Sequence, residues 1–228
     1  MSILNPINQK SFYVSSPDVN KLIAQINAAL QNGWGNTTDG LYSVISGGVN
    51  NITSADYAFI GSATGAAATI TGQVVNSSYT QTPFISQASR FTLTKEVIGS
   101  DKITLNVTNS EIPVITLQPG VSTKVWNAHI QVVAVCKEAG SSGTIVNDVY
   151  SANFTATIKN NGTNTSMVGS QEQIGIDQSD ASMANSIINI KEDDVNSAME
   201  IEFTPPSSAD ATTKINIMAS VTLAEIGW

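Results

Sequence analysis

The sequence of 228 residues has few of the groups that many functional sites need. Its one cysteine, Cys136, excludes an internal disulfide framework, so stability must come from packing, hydrogen bonding or association. Only 12% of the residues are charged, the formal net charge is -8, and the basic residues form no cluster. Nucleic acid and anionic membrane surfaces need clustered Lys and Arg, so neither is an expected partner. The first residues lack the regions of a signal peptide, and no apolar run is long enough to span a membrane.

Residues that carry out catalysis are equally scarce. His129, the one histidine, lies seven positions before Cys136, and in a strand odd and even positions point to opposite faces, which disfavours a catalytic pair. Neither a phosphate-binding loop nor a dinucleotide fingerprint occurs. Acidic residues are clustered at 177–180 and 192–194, and a calcium site is one interpretation of these clusters. Their spacing fits no EF-hand, so solvated turns are the preferred interpretation. We therefore expect no enzyme, no cofactor and no metal.

Residues 1–38 are predicted to be an anchor with one helix, over 17–31. Ser16-Pro17-Asp18 supplies an N-cap, a proline at the first helical position and an acid in the first turn. Four apolar residues have the spacing of a coiled-coil seam, with packing on the chain's own domain as an equal alternative: Val19, Ile23, Ile26 and Leu30. Apolar residues before the helix are candidates for attachment to a partner: Ile3, Leu4, Ile7, Phe12 and Val14.

Residues 39–80 contain a repeat with a period of 15. The segment YSVISG at 42–47 returns as YAFIGS at 57–62, and Val74-Val75 falls where a third copy begins. Such a period predicts stacked β-coils, and coils with so little apolar bulk must lean on the next domain or on identical coils of neighbouring chains. A flexible linker is the alternative, and apolar residues that recur in phase argue against it: Tyr42, Val44, Ile45, Tyr57, Phe59 and Ile60.

Residues 81–228 alternate with a period of two, as strands do. Three long strands are predicted to point these residues inward: Trp126, Ala128, Ile130, Val132, Ala134 and Cys136; Tyr150, Ala152, Phe154, Ala156 and Ile158; Ile215, Ile217, Ala219, Val221 and Leu223. Shorter apolar runs add strands at 91–98, 103–107, 114–117, 187–190 and 199–203. The predicted fold class is therefore mainly β, with an antiparallel, jelly-roll-like β-sandwich at the C-terminus and a short helix at the N-terminus.

The repeat GLYSVISGGVNN at 40–51, followed by TSADYAFIG at 53–61, resembles the repeats of trimeric phage and giant-virus fibres. It is also similar to the heads of trimeric autotransporter adhesins. This resemblance implies a homotrimer in which three chains wind left-handed parallel coils around one axis, although Ala66-Ala67-Ala68 makes the third copy degenerate. The trimer interface would then comprise the helix seam and the recurring coil residues: Val19, Ile23, Ile26, Leu30, Tyr42, Val44, Ile45, Tyr57, Phe59 and Ile60.

A second, looser resemblance concerns the C-terminal part, which looks like a β-sandwich that often ends phage structural proteins. Trp126 heads a long strand, and Tyr150 and Phe154 precede the segments NNGT at 160–163 and MVG at 167–169.

Together the likenesses favour a structural protein of a tailed-phage virion, assembled in the host cytoplasm. It would be a homotrimeric fibre, anchored to a capsid or tail protein by its N-terminus, with a projecting C-terminal domain and weak adhesion to host glycans. A head fibre or capsid decoration is preferred to a tail fibre. One alternative is a receptor-binding tip whose loops 137–147 and 169–182 bind a host saccharide. Another is a polysaccharide depolymerase with carboxylates such as Asp177 and Asp193 contributed across subunits.

Overall fold

The computed structural model describes residues 33–77, 86–105, 115–116, 123–195 and 197–227. Within these ranges the protein is mainly β, as the sequence predicts, and none of the described elements is a helix. Accordingly, no described helix could cross a membrane. The predicted helix over 17–31 lies outside the described residues, as do its seam and the attachment residues: Val19, Ile23, Ile26, Leu30, Ile3, Leu4, Ile7, Phe12 and Val14.

The first part of the described chain consists of short parallel strands. Seven lie between Gly33 and Ser77: β1 (Gly33–Trp34), β2 (Thr37–Thr38), β3 (Val44–Val49), β4 (Ile52–Thr53), β5 (Phe59–Thr64), β6 (Ala67–Ala68) and β7 (Val74–Ser77). One sheet has the order β1-β3-β5-β7, and a second has the order β2-β4-β6. Val44 pairs with Phe59 and Phe59 with Val74, so each turn of chain takes 15 residues. Among the described residues, the paired strands of the coils already include Gly33–Trp34, whereas the repeat is predicted over 39–80.

Antiparallel strands of 2 to 15 residues follow. The described residues contain eleven of them: β8 (Ser86–Ile98), β9 (Ile103–Thr104), β10 (Ile115–Thr116), β11 (Lys124–Glu138), β12 (Val149–Asn160), β13 (Thr165–Met167), β14 (Glu172–Gln173), β15 (Gln178–Ser179), β16 (Ile187–Asp193), β17 (Ala198–Thr204) and β18 (Lys214–Gly227). We call β8-β18-β11-β12, with β13, β14 and β15 along the edge of β12, the long sheet. The small sheet has the order β10-β17-β16, with β9 also on β17. Because β7 pairs with β8, the long sheet continues the first coil sheet without a break.

The main core is formed by the residues that the sequence alternation predicts to point inward. The residues predicted to point inward from β11, β12 and β18 are all buried, which confirms these three strands and their faces. They belong to one apolar cluster that also includes residues of β8 and, from the small sheet, Ile188, Ile190, Met199, Ile201 and Phe203. The alternate residues of the four long strands are exposed or half-buried, and we call the surface that they form the outer face.

A buried polar network joins the coils to the long sheet. The side-chain amide of Gln87 donates to the carbonyl oxygen of Ala67 and accepts from its N–H, each at 3.0 Å. The same amide and the Ser89 hydroxyl donate to Glu225 at 2.9 and 2.6 Å. The other carboxylate oxygen of Glu225 pairs with Lys124, and both side chains are at most 3% exposed. Burial lowers the pKa of Lys124 even though Glu225 opposes the shift, so this junction depends on the ion pair being complete.

The close approach of successive coils gives a test of the fold. Gly48 has a φ of +96°, and a Cβ there would lie 1.7 Å from the carbonyl oxygen of Ala63 in the next coil. We expect Gly48→Ala to lower the free energy of unfolding by more than about 2 kcal/mol, since backbone must move to admit the methyl group. At Gly61 a Cβ would meet nothing closer than 3.8 Å, so Gly61→Ala is the matched control and should cost less than about 1 kcal/mol. Denaturant titration of both variants measures the difference, and equal losses would contradict the coil geometry.

Candidate functional site

The coils expose large apolar side chains on one side of the first sheet. Val44 and Phe59 are paired in register and are 45% and 40% exposed. Tyr42 and Tyr57 lie two residues before them, in the turn that precedes each strand, and are 76% and 63% exposed. Their rings stack, with centroids 5.2 Å apart and an interplanar angle of 16°. We call these four side chains the coil ladder. Contiguous apolar surface of this kind marks sites of interaction in soluble proteins.

Two residues predicted for the interface between chains are not part of this ladder. Ile45 and Ile60 are 1% and 0% exposed in a single chain, so they contribute no exposed surface to the ladder, and their place in an interface between chains stays a prediction. Successive residues of a strand point to opposite faces, and Ile45 therefore points away from Val44. Both isoleucines belong to the core of the coils, whose other buried members are small: Ala58, Ala63, Ala66, Ala68 and Val75.

The two tyrosines of the ladder have left-handed backbone conformations. Tyr42 and Tyr57 have φ angles of 57° and 56°, and Gly72, at the same place in the third coil, has 72°. Glycine adopts this conformation freely, whereas for a tyrosine it costs roughly 1–2 kcal/mol. Two coils therefore hold an exposed aromatic ring at a position where glycine would be less strained. Such outliers are enriched at functional sites, which makes the ladder a candidate for one.

Hydrogen bonds behind the ladder fix the coil corners. Asn51 is fully buried, and its side-chain amide donates to the carbonyl oxygens of Ala63 at 2.8 Å and Gly47 at 3.1 Å. Its Oδ1 accepts from the N–H of Ala66 at 2.9 Å. One coil earlier, Oδ1 of Asn36 accepts from the N–H of Asn51 at 3.0 Å. These bonds satisfy buried backbone groups in and near the turns between the coil strands. They therefore stabilise the coils behind the ladder, although the apolar core there is small.

His129 and Cys136 lie as the alternation predicts. His129 is half-buried on the outer face, and Cys136 is buried in the main core. Burial raises the pKa of the Cys136 thiol, which disfavours the thiolate that nucleophilic chemistry needs. The two side chains therefore do not come together.

The two carboxylates of the depolymerase alternative also lie far apart within one chain. Asp177 precedes β15, which pairs with Ser151 near the start of β12. Asp193 ends β16, and its neighbour Asp194 accepts a hydrogen bond from the amide of Thr165, beside the end of β12. The intervening strand spans about 30 Å, whereas the two carboxyl groups of a glycosidase are roughly 5–10 Å apart. In the part of the chain that the structure describes, no three His, Cys, Asp or Glu side chains are placed to hold a metal ion.

The loops 137–147 and 169–182 pack on one another by hydrogen bonding. The hydroxyl of Ser182 accepts from the N–H of Ile145 at 3.1 Å.

A shallow groove of about 570 Å³ lies elsewhere, on the outer face. Residues of β8, β11 and β18 line this groove, and none of them comes from either loop. Sequence reasoning missed it because its side chains come from strands that are far apart in the chain.

Comparison with solved structures gives similarities to phage tailspike proteins. No protein-family model matches the sequence, and no curated protein sequence matches it. The structure is similar to the tailspike protein of Acinetobacter phage vB_ApiP_P1, with 11% identity and a TM-score of 0.32, over 86% of this chain and 46% of that one. It is also similar to the tailspike protein of Acinetobacter baumannii phage AM24, with 11% identity and a TM-score of 0.29, over 85% of this chain and 42% of that one. The chain thus spans less than half the length of these solved chains.

Proposed function

We propose that this chain is the subunit of a homotrimeric virion fibre and that its role is structural. Three copies meet through their coil ladders around one axis, and the long and small sheets of each copy form a projecting β-sandwich. The observation that carries the proposal is the ladder itself. Four large apolar side chains are exposed in register, and two of them, Tyr42 and Tyr57, are held in a strained backbone conformation.

The physical gain from covering the ladder supports association. Burying a side chain the size of Phe59 stabilises by about 1.5–3 kcal/mol, and each copy offers four large side chains. The core of a single coil stack consists mostly of alanine, so the coils have little other apolar surface to bury. A second copy that covers the ladder supplies that burial and also offsets the strain at the tyrosines. The resemblance of the repeat to trimeric fibres supports three copies rather than two.

The remaining parts of the proposal follow from the sequence. Residues 1–38 attach the fibre to a capsid or tail protein, with a head fibre preferred, and the sandwich contacts host surface glycans weakly. The separation of Asp177 from Asp193 supports a structural role over a depolymerase with both carboxylates in one chain. The depolymerase alternative then requires a site between copies, with one carboxylate from each of two chains. Release of reducing ends from host polysaccharide is the assay that would reveal it.

A charge in the ladder should weaken assembly. Phe59→Glu would gather one carboxylate per copy in an apolar contact, so we expect the dissociation constant of the assembly to rise at least about tenfold. Sedimentation velocity over a range of concentrations measures the change. Ile176→Glu is the matched control, because Ile176 is 89% exposed and lies away from the coils in sequence. Equal behaviour of both variants would contradict the role of the ladder.

Relief of strain should also weaken assembly. Tyr57→Gly gives the second coil the residue that the third coil has in Gly72, so the coil itself should fold at least as well. The same change removes the stacked ring, and we expect association to weaken by about tenfold. Far-ultraviolet circular dichroism tests the fold and sedimentation tests the association. An assembly as tight as the wild type would show that the tyrosines are not kept for contact between copies.

A further inference from the structure

The exposed side of the coils and the outer face of the long sheet are one continuous surface. Val74 of the last coil strand pairs with Arg90 of β8, and Arg90 pairs with Thr222 of β18. Thr222 in turn pairs with His129 of β11. Since paired residues of neighbouring strands point to the same face, the row that begins with Val44 and Phe59 continues across the whole sheet.

The outer face carries little negative charge. The chain has 18 acidic residues, but in the rows between Ser86 and Glu96 the outward positions of the four long strands hold one carboxylate, that of Glu96. Most other outward residues are Thr, Ser, Asn, Gln or aliphatic. Copies of a protein with a net charge of -8 repel one another wherever their carboxylates face each other. This face is therefore a surface through which two copies can approach.

The end of the outer face that lies furthest from the Ser86 end of β8 exposes two apolar side chains. Val133 and Met218 are cross-strand partners there, and both are more than 40% exposed. They line the groove of about 570 Å³ together with Val135, Ile217, Thr94, Asn216 and the charged residues Lys95 and Glu96. Exposed valine and methionine beside polar and charged side chains resemble the mixture of apolar core and polar rim that protein interfaces have.

The face is also large enough for a stable contact. Eleven residues along each strand and four strands across give roughly 35 by 19 Å, or about 700 Å² per chain. Specific interfaces bury about 800 Å² per partner. The outer face is thus close in area to one side of a standard specific interface, and the coil ladder adds to it.

We propose that the outer face is covered by a second copy of this chain, so that the contact begun by the coil ladder extends across the long sheet to the groove at Met218. The inference rests on the proposed function, because the ladder sets which copies lie side by side. A saccharide is the competing occupant. The outward positions of the four strands hold no Phe, Tyr or Trp on which a sugar ring could stack, which favours the protein partner.

Met218 is a built-in probe of this contact. Hydrogen peroxide converts exposed methionine to its sulfoxide, and Met218 is 45% exposed in the single chain. Met183 and Met199 are fully buried and serve as internal controls. In the assembled wild-type protein we expect Met218 to be oxidised about tenfold more slowly than in the dissociated Phe59→Glu variant, with peptide mass spectrometry as the readout. Met218→Glu should weaken the assembly, while Val195→Glu, at a position 92% exposed, should not.

The possible results separate this inference from the proposed function. If the wild type is assembled but Met218 is oxidised as fast as in the dissociated variant, the outer face is open; the inference falls and the fibre stands. If the wild type is a single chain with a reactive Met218, both fall. Protection of Met218 in a single chain would mean that the chain's own residues cover the groove, and protection only after host polysaccharide is added would identify a saccharide. Either outcome overturns the second copy as the occupant.

Discussion

The parallel pairing of residues 15 apart is the constraint on which the rest of the structure depends. It brings Tyr42 beside Tyr57 and Val44 beside Phe59, so a sequence repeat becomes an exposed ladder. The same sheet continues through β7 into β8, and for this reason the outer face of the long sheet lies on the same side as the ladder.

Two features of this arrangement are unfavourable for the free energy of folding. The tyrosines have a backbone conformation that suits glycine, and the junction with the long sheet buries the ion pair of Lys124 and Glu225. A buried ion pair seldom adds net stability, because desolvation offsets the attraction, but removing one partner is strongly destabilising. Gln87 connects the pair to the backbone of Ala67 in the coils. We infer that the junction fixes the orientation of the coils on the long sheet, whereas the strained tyrosines serve contact between copies.

Much of the fold could be predicted from residue patterns. Strict alternation from Trp126 to Cys136 identified a strand and its buried face, because a strand between core and surface requires a period of two. The same rule could have separated Val44, which is exposed, from Ile45, which is buried. The left-handed tyrosines had a weaker signal, namely that Gly72 falls 15 residues after Tyr57. The pairing of Lys124 with Glu225 and the groove at Met218 had none, since both join strands that are distant in sequence.

The mass of the wild-type chain in solution is the most direct test of a homotrimer. Sedimentation equilibrium over a wide range of concentrations gives this mass without a change to the protein. The account predicts a species of three times the 23.9 kDa of one chain, at concentrations where the coil ladder and the outer face are both covered. A single species of 23.9 kDa at every concentration would contradict it, and the ladder would then be an exposed surface of a monomer.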